Sequence, residues 1–462
     1  MSQMSNPLKI KSLNPADDTV VGEVIITPTD SIPDLVESAR DAQRSWARLS
    51  LSERRDVLLP AGKHISLIAR EIGELLSREM GKPLPDAMGE VSHCGRTFVS
   101  ELDELVDALR PETHVDKHTQ SKIFFDPYGV CAAITPWNFP FAMPHWLVCP
   151  ALMAGNAVIF KPSEETPLVG QAYADALNTV LPNGVLQVVH GADEQGRALV
   201  KSDVDLIAFT GSKAVGQSIL NQASHDLKRV ILELGGKDPL IVMDDANLGA
   251  AARFAAKNSF RNAGQVCVST ERIYVPDALA DDFVKALVDE ANQLRVGPGM
   301  DERTQVGPMI NRRQRDHVLD QVNDALAKGA SLLTGGDTTP TGAFLSPIVL
   351  DNVTHEMDIA REETFGPAAV VIRVRDIDEA VSLANDSELG LGAIVYGTNT
   401  KAAERIARRL DAGMIGINRS VGGASGTPWV GAKQSGYGFH KSVAGHRQFA
   451  QLRVLSKRAD NG

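Results

Sequence analysis

The chain contains 462 residues, of which 43% are hydrophobic and 23% charged, and its formal net charge is −11. A chain of this length exceeds what a single hydrophobic core serves, so we expect two or more domains. The acidic balance argues against nucleic acid or an anionic membrane as the main partner, because a negatively charged surface attracts neither.

The cysteines and the apolar stretches narrow the class of protein further. The sequence has no Cys-x-x-Cys pair and no Cys/His group at metal-ligand spacing, which predicts neither a disulfide framework nor a metal site and fits a reducing cytoplasm. Residues 1–14 are polar and show no signal-peptide pattern. Residues 139–160 are apolar but contain three prolines, so we expect a buried helix and a strand and no membrane span. The four cysteines are Cys94, Cys131, Cys149 and Cys267.

The first part of the chain alternates predicted strands with single helices. Helical patterns come first, at residues 32–49, 51–80 and 86–109. Apolar strand patterns follow at residues 122–125, 130–134, 157–160, 185–189, 206–210 and 229–234, with helical patterns at 168–179, 195–200 and 215–223. This alternation predicts a parallel sheet with helices on both faces, and such sheets bind ligands at the carboxyl ends of their strands.

The alternation starts again after residue 236 and predicts a second α/β unit. Its strand patterns lie at residues 239–242, 272–275, 369–374, 393–396 and 414–418. Its helical patterns lie at residues 248–259, 278–294, 377–385 and 402–410. We expect a cleft between the two units at Leu234-Gly-Gly-Lys237.

Polar or glycine-rich groups end the strands of the first unit, as expected if those ends line a site. Gly211-Ser-Lys-Ala-Val-Gly216 is a candidate phosphate site, because glycine admits close approach and a helix N-terminus favours an anion. The same pattern also serves a plain strand-turn-helix connection. Lys161 and Glu164 suit the hydroxyls of a ribose, or form a solvated surface pair. A ribose at Glu164 favours NAD over NADP, because the carboxylate repels a 2′-phosphate.

A single thiol is the candidate for the chemistry. The stretch Arg261-Asn-Ala-Gly-Gln-Val-Cys267 joins a helical pattern to a strand pattern and presents Cys267 on a loop between two rigid elements. A thiolate is a strong nucleophile that forms a covalent intermediate with a carbonyl carbon. The alternative is a buried cysteine that acts as a small hydrophobic residue.

Seven motifs follow one another at characteristic spacing along the chain. They are Pro136-Trp-Asn-Phe-Pro140, Lys161-Pro-Ser-Glu-Glu-Thr-Pro167, Phe209-Thr-Gly-Ser212, Leu232-Glu-Leu-Gly-Gly-Lys237, Gly264-Gln-Val-Cys267, Glu362-Glu-Thr-Phe-Gly-Pro367 and Lys433-Gln-Ser-Gly436. Through them, residues 13–456 resemble the aldehyde dehydrogenase superfamily. The resemblance implies an α/β fold with two Rossmann-like parallel-sheet domains and a small β oligomerisation element.

The resemblance also implies how the chain is divided and assembled. An NAD-binding domain would comprise residues 1–108 and 128–235, and a catalytic domain residues 236–440. The oligomerisation element would comprise residues 109–127 and 441–462. The strands of that element would pair across a homodimer, with a tetramer as the larger alternative.

Each residue that matches a family motif takes an implied role. Cys267 is the nucleophile, Asn138 the side-chain oxyanion donor and Glu233 the general base. The residues expected to hold NAD are Thr135, Trp137, Lys161, Glu164, Gly211, Ser212, Val215, Gly235, Glu363 and Phe365. The implied reaction oxidises an aldehyde to the acid through a thiohemiacetal and a thioester on Cys267. Water activated by Glu233 hydrolyses the thioester, which requires desolvation to raise the pKa of Glu233 towards neutrality.

The substrate is less well determined. Arg261 matches an arginine that succinate-semialdehyde dehydrogenases carry six residues before the nucleophile, where it would clamp a carboxylate; the alternative is a structural ion pair. Trp146 stands where those enzymes usually carry a second arginine, and it favours an uncharged aliphatic or an aromatic aldehyde. Pro428-Trp-Val-Gly431 departs from the usual Pro-Phe-Gly-Gly and predicts an unusual substrate loop. A cysteine thioesterase or a non-catalytic binding protein is the alternative of another class.

Overall fold

A hairpin and three helices open the fold in the computed structural model, which describes residues 8–459. They are β1 (Lys9–Leu13), β2 (Val20–Ile25), α1 (Ile32–Trp46), α2 (Leu51–Met80) and α3 (Leu84–Leu109). Helix α2 begins at a capping box, in which Ser50 Oγ accepts from the Glu53 amide and Glu53 Oε2 accepts from the Ser50 amide. The start of the predicted polar segment, residues 1–7, lies outside the described residues.

The first large sheet is mainly parallel, as predicted. Its region contains β3 (Glu112–Val115), β4 (Thr119–Pro127), β5 (Val130–Ile134), α4 (Ala142–Met153), β6 (Ala157–Lys161), α5 (Pro167–Asn178), β7 (Leu186–Val188), α6 (Asp193–Lys201), β8 (Leu206–Thr210), α7 (Lys213–Ser224) and β9 (Arg229–Glu233). The parallel strands stand in the order β9-β8-β5-β6-β7. The apolar stretch at 139–160 forms α4 and β6, and no helix among residues 8–459 is long and apolar enough to cross a membrane.

The second large sheet has the order β12-β13-β14-β11-β10-β16-β17 and is parallel except for the β12–β13 pair. Its region contains β10 (Asp238–Val242), α8 (Leu248–Phe260), β11 (Thr270–Pro276), α9 (Asp277–Asn292), α10 (Arg312–Ala327), β12 (Ser331–Thr334), β13 (Ile348–Asp351), α11 (Asp358–Arg361), β14 (Ala368–Val374), α12 (Ile377–Asn385), β15 (Leu389–Gly390), β16 (Gly392–Tyr396), α13 (Thr400–Ala407) and β17 (Met414–Ile417). The prediction of an α/β fold with two parallel-sheet units is therefore confirmed.

The C-terminal part of the chain returns to the first sheet. It contains β18 (Ala432–Lys433), β19 (Gly436–Tyr437), α14 (Ser442–Arg447) and β20 (Ala450–Arg458). Strand β19 pairs antiparallel with β9, and β20 pairs antiparallel with β4 in a three-stranded sheet β20-β4-β3. The predicted domain limits stay a prediction. Strand β19 lies in the range predicted for the catalytic domain, although it pairs with β9 of the first sheet.

The first sheet has one hydrophobic core on each face, because side chains along its strands point alternately to the two faces. In β6, Val158 and Phe160 pack into the core formed with α2 to α5, whereas Ala157 and Ile159 pack into the core formed with α1, α6 and α7. Successive side chains of a strand point to opposite faces, so an apolar strand buries both faces of the sheet. The sheet is thus rigid from both sides, and its strand ends hold side chains in fixed positions.

Candidate active site

A cavity of about 250 Å³ lies where the two sheets meet. Residues at the ends of β5, β8 and β9, in the loop before β11 and in the segment between α11 and β14 are among those that line it. Its lining residues are Pro136, Trp137, Asn138, Met143, Thr210, Gly211, Ser212, Leu234, Gly235, Cys267, Gln314, His317, Glu363 and Phe365. The structure therefore brings together two predicted catalytic residues and six predicted cofactor residues that are far apart in sequence.

A strained turn presents Cys267 to this cavity. After α8, Asn262, Ala263 and Gly264 follow one another in the left-handed region, with φ of 53°, 55° and 72°. Only glycine fits the third position, since a Cβ there would lie 1.9 Å from Gly366 O. Residues other than glycine rarely adopt this conformation, and such strain is typical of functional sites. The half-buried Cys267 follows three residues later.

The same turn is bonded to the loop that carries Asn138. Asn138 Nδ2 donates to Gln265 O at 3.1 Å, and Asn262 Nδ2 donates to Asn138 O at 3.2 Å. Lys82 Nζ donates to Asn138 O at 2.9 Å and pairs with Glu90 Oε2 at 2.5 Å, with both side chains buried. These bonds hold the amide of Asn138 beside the cysteine loop and leave its second N–H available to a ligand.

The thiol of Cys267 and the carboxylate of Glu233 are neighbours whose pKa values are shifted in opposite directions. Burial raises the pKa of Cys267 well above its usual range, and the charge of Glu233 raises it further. Burial also raises the pKa of Glu233, but the hydrogen bond and charge of His440, followed by interactions with Trp429 and Cys267, outweigh it, so this pKa lies below its ordinary value of 4.5. The expectation that desolvation brings the pKa of Glu233 towards neutrality is wrong, because it overlooked His440.

His440 is a member of the site that the sequence reasoning missed. Its Nε2 lies 3.3 Å from Glu233 Oε2, and the imidazole is buried. Trp146 and Trp429 flank the ring at centroid distances of 5.9 and 6.5 Å. A backbone bridge joins Trp429 to His440, so the departure at Pro428-Trp-Val-Gly431 and the partner of Glu233 are one local structure. Thr210 Oγ1, at 3.3 Å, is the other hydrogen-bond donor to Glu233 Oε2.

Glu363 closes the cavity from the second unit. Gly236 N donates to Glu363 Oε1 at 3.1 Å, and a Cβ on Gly235 would lie 2.3 Å from Glu363 Oε2. Burial, followed by the charge of Glu271, raises the pKa of Glu363 to about 8. Phe365, in a left-handed conformation with φ of 49°, meets the ring of Trp137 edge to face at 5.4 Å.

Four predicted cofactor residues do not line this cavity and lie near strand ends of the first unit or in α7; they are Thr135, Lys161, Glu164 and Val215. Lys161 is buried at the end of β6, with its Nζ 3.7 Å from Glu164 Oε2, and Thr135 N donates to Lys161 O at 3.2 Å. Ser212 is the N-cap of α7, and Val215 in the first turn of that helix is exposed. An exposed apolar side chain beside free helix amides suits a base next to a phosphate.

The two predicted substrate residues also lie outside the cavity lining. Arg261 is exposed, lies over the ring of Phe139 at 5.5 Å, and has no ion pair to any of residues 8–459. This contradicts its interpretation as a structural ion-pair partner. Trp146 is half-buried on α4 and lies 6.0 Å from the ring of Trp429.

Helix α10 supplies two cavity residues that the sequence reasoning also missed. Gln314 Nε2 donates to Thr364 O and Phe365 O, and His317 Nε2 lies 3.4 Å from Glu363 O. Two signals were present in the sequence. Asn311 is a favourable N-cap and accepts from the Gln314 amide, and Val318, Val322 and Ala325 recur at helical spacing.

Two parallel-sheet units with a thiol, a carboxylate and glycine-lined strand ends between them define an oxidoreductase of the nicotinamide-dependent class. Residues 3–455 match the Aldehyde dehydrogenase family, and the chain belongs to that family. It is therefore an NAD(P)-dependent enzyme that oxidises an aldehyde to the carboxylic acid. The prediction of a dehydrogenase is therefore confirmed, and the alternative functions of a thioesterase and of a non-catalytic binding protein are not supported.

Individual relatives agree with this assignment. The chain is 37% identical over 449 residues to a protein of Sinorhizobium fredii named probable succinate-semialdehyde dehydrogenase, NADP(+), and the match covers 96% of this chain and 91% of that protein. A solved succinate-semialdehyde dehydrogenase from Burkholderia pseudomallei has a TM-score of 0.94 at 35% identity, covering 98% of this chain and 95% of that one. A solved NAD-dependent aldehyde dehydrogenase from Sinorhizobium meliloti has a TM-score of 0.94 at 34% identity, covering 98% and 91%.

Proposed function

We propose that the protein oxidises a small semialdehyde, such as succinate semialdehyde, to the dicarboxylic acid at Cys267. The observation that carries the proposal is the exposed guanidinium of Arg261, which lies six residues before Cys267 and has no carboxylate partner among residues 8–459. A free guanidinium suits a carboxylate, because it donates two parallel hydrogen bonds. The names of the relatives from Sinorhizobium fredii and Burkholderia pseudomallei agree with this substrate class.

Glu233 acts first as the base for the thiol. At neutral pH, Glu233 is ionised and Cys267 is protonated, since the pKa of the carboxyl is lowered and that of the thiol raised. The Sγ proton therefore moves to Glu233 as the sulfur attacks the aldehyde carbon. That proton leaves Glu233 for solvent before the second half of the reaction, and His440, with Nε2 at 3.3 Å from Glu233 Oε2, stabilises the ionised carboxylate that results. Glu233 is then free to act a second time.

Asn138 stabilises the oxyanion that forms on the former carbonyl oxygen. One N–H of its side-chain amide donates to Gln265 O, so the second N–H and the Cys267 backbone amide are the donors for the negative charge. A donor of this kind contributes roughly 3 kcal/mol to the transition state in a water-poor site. After oxidation, Glu233 takes a proton from water, and the water oxygen attacks the thioester and releases the acid and the Cys267 thiol.

The residues at the strand ends fit a nicotinamide dinucleotide. Gly211 lines the cavity, and a Cβ at this position would lie 2.4 Å from the Phe209 ring, so a larger residue would clash with that ring. Glu363 and Phe365 would hold the nicotinamide ribose, and Ser212 the pyrophosphate at the N-terminus of α7. The bound cofactor supplies the acceptor for the hydride.

We also propose that the enzyme prefers NAD to NADP, although the relative from Sinorhizobium fredii is named for NADP. The proposal depends on Glu164, whose carboxylate lies 3.7 Å from the buried Lys161 Nζ at the end of β6. A carboxylate accepts hydrogen bonds from both hydroxyls of a ribose but repels a 2′-phosphate.

We further propose a cytoplasmic homodimer. Strands β20 and β4 pair over nine residues each, and Leu452, Val454 and Leu455 of β20 remain more than half exposed. An exposed apolar edge needs a covering partner, and a second copy of the same sheet provides one. The four free cysteines fit a reducing compartment. Light scattering during size-exclusion chromatography measures the mass, and a monomer would contradict the proposed dimer.

A substrate panel tests the proposed function. We would follow NADH and NADPH formation at 340 nm with succinate semialdehyde, glutarate semialdehyde, butanal and benzaldehyde. The expected result is a kcat/KM for the semialdehydes at least tenfold above that for butanal, lost in Cys267→Ser with every substrate. A preference for butanal or benzaldehyde would contradict the semialdehyde proposal and support the alternative suggested by Trp146, a pocket for uncharged or aromatic aldehydes.

A further inference from the structure

Lys441 is a cation near the site that the proposed chemistry does not use. Its Nζ lies 3.5 Å from the centroid of the Trp146 ring and 5.4 Å from that of Trp429. Within residues 8–459 it makes no ion pair and no hydrogen bond, so its fixed contacts are the faces of two aromatic rings. An ammonium has three N–H donors, and here none of them has an acceptor.

The backbone around Lys441 is held in an unfavourable conformation. Lys441 and Ser442 both lie in the left-handed region, each with φ of 59°. A residue other than glycine in this region costs of the order of 1–3 kcal/mol, and it persists only where the surroundings impose it. The preceding residue is His440, which is bonded to Glu233 and bridged to Trp429. The strain therefore holds Lys441 one residue from the partner of the general base.

Two carboxylates lie near Lys441, but neither forms an ion pair with its ammonium. Burial lowers the pKa of Lys441, and the charges of Glu101 and Glu233 oppose that effect. Both carboxylates are already bound elsewhere. Glu101 pairs with His145 at 2.8 Å and accepts from Thr97 Oγ1 at 2.6 Å, and Glu233 bonds to His440. A half-buried ammonium without a carboxylate of its own attracts an anion from solution, and the low dielectric beside two indoles strengthens that attraction.

We propose that Lys441 binds the carboxylate of the semialdehyde substrate. The indole of Trp146 holds the ammonium on its face, with Nζ 3.5 Å from the ring centroid. This inference rests on the proposed oxidation of a semialdehyde at Cys267.

Lys441 would bind the carboxylate together with Arg261, the residue on which the proposed substrate class depends. The Arg261 guanidinium is exposed, so water competes for its hydrogen bonds, whereas Lys441 is half-buried between Trp146 and Trp429. The Trp146 ring that carries the Lys441 ammonium also stacks on His440 at 5.9 Å, and His440 Nε2 lies 3.3 Å from Glu233 Oε2. Lys441 is thus on the same side of the site as the general base, and a semialdehyde bound with its aldehyde at Cys267 would direct its carboxylate to this ammonium.

Three variants test this inference. Lys441→Met removes the charge and keeps the length of the side chain, Lys441→Arg keeps the charge, and Arg261→Ala tests the alternative cation. Lys285→Met, at an exposed lysine paired with Asp289 on α9, is the matched control for the loss of one positive charge. Each variant would be assayed with succinate semialdehyde and with butanal, which has the same number of carbons and no carboxylate.

We expect Lys441→Met to lower kcat/KM for succinate semialdehyde on the order of 30-fold or more. Most of the loss should appear in KM, because a contact made equally in the ground and transition states affects binding and not turnover. The value for butanal should stay within about threefold, and Lys441→Arg should retain most of the preference. Equal losses for both aldehydes would show a structural role and overturn the inference. Loss of the preference in Arg261→Ala alone would overturn it in favour of Arg261.

A binding measurement separates this inference from the proposed function. Succinate, the product, would be titrated against each variant by tryptophan fluorescence, since Trp146 and Trp429 contact the lysine. Weaker binding by at least tenfold in Lys441→Met, with Lys285→Met unchanged, supports the site even if another aldehyde proves to be the substrate. Unchanged succinate binding in Lys441→Met contradicts the inference, whatever the substrate panel shows.

Discussion

Replacing His440 by glutamine should raise the pKa of Glu233 and move the acid limb of the pH–rate profile upwards. The wild-type carboxyl has a lowered pKa because the hydrogen bond and charge of His440 outweigh its burial. Glutamine keeps a hydrogen-bond donor but removes the charge. Burial is then opposed by the interactions with Trp429 and Cys267 and by a neutral amide, so the ionised form of Glu233 loses stabilisation.

The size of the effect follows from the geometry. Hydrogen bonds to a charged group contribute about 1.5–3 kcal/mol, and the strong ones are about 2.7–2.9 Å long. The Nε2–Oε2 distance of 3.3 Å in the buried pair places this bond near the lower limit. A loss of about 1.5 kcal/mol corresponds to about one pH unit. Since the base must be ionised to act, activity is lost as pH falls through its pKa, and this loss should begin about one pH unit higher in His440→Gln.

The assay is kcat/KM for succinate semialdehyde between pH 4.5 and 9. The wild type should show no acid limb due to Glu233 above pH 4.5, because the pKa of this group lies below that value. His446→Gln is the matched control, since His446 is a second buried histidine six residues further on without a hydrogen bond to Glu233. A profile for His440→Gln that falls uniformly at all pH values, or does not move, would refute the coupling of the two side chains.

Three other changes should have measurable effects. Glu164→Gln should raise the ratio of kcat/KM for NADP to that for NAD about tenfold, because a repulsion of about 1.4 kcal/mol is removed; Glu165→Gln is the control, and an unchanged ratio would contradict the NAD proposal. Burial raises the pKa of Asp238 from 3.8 to about 8, so the folded state keeps a proton that the unfolded state loses. The free energy of unfolding should therefore fall as pH rises from 4 to 8, by at most about 1.4 kcal/mol per pH unit, and urea unfolding of Asp238→Asn should show a flatter dependence. Lys82→Met should cost about 3–5 kcal/mol of unfolding free energy by leaving Glu90 unpaired, and adding Glu90→Gln should restore part of it.

Much of the fold is readable from sequence because the strands are buried on both faces. Residues 130–134 and 206–210 are continuous apolar runs, and they form β5 and β8 with the predicted bounds. The position of a site at their ends follows from the geometry of parallel sheets. Residues on different strand ends are therefore brought together without any knowledge of side-chain contacts.

Elements with little buried surface were not predicted. Strand β1 buries one residue of five, and β12 buries none, so neither has the alternating pattern of a half-buried strand. Helix α10 carries four charged residues in its first five positions, which obscures its apolar stripe at Val318 and Val322. In these places the tertiary contacts decide the structure, and the local signal is weak.

The partners of Glu233 could not be predicted, because they depend on pairing between distant segments. Residue 440 reaches residue 233 because β19 pairs with β9 and because Trp429 bridges His440. Neither contact has a sequence signal, since β19 has two residues and the bridge joins single residues. The role of Glu233 as a general base therefore does not predict the direction of its pKa shift, although its place beside Cys267 was expected.

The proposed roles in catalysis and in substrate choice fall on different residues of this chain. Asn138, Glu233 and Cys267 are held by strand ends and a bonded turn, and these are fixed by two buried sheets. Trp429 and Lys441 belong to the returning C-terminal segment, which touches the first sheet through a two-residue strand. Changes in that segment alter which groups face the substrate without disturbing the sheets. Substitutions of Trp429 and Lys441 should therefore change KM and the order of substrates, whereas substitutions of His440 or of the residues at the strand ends should affect the reaction of every aldehyde.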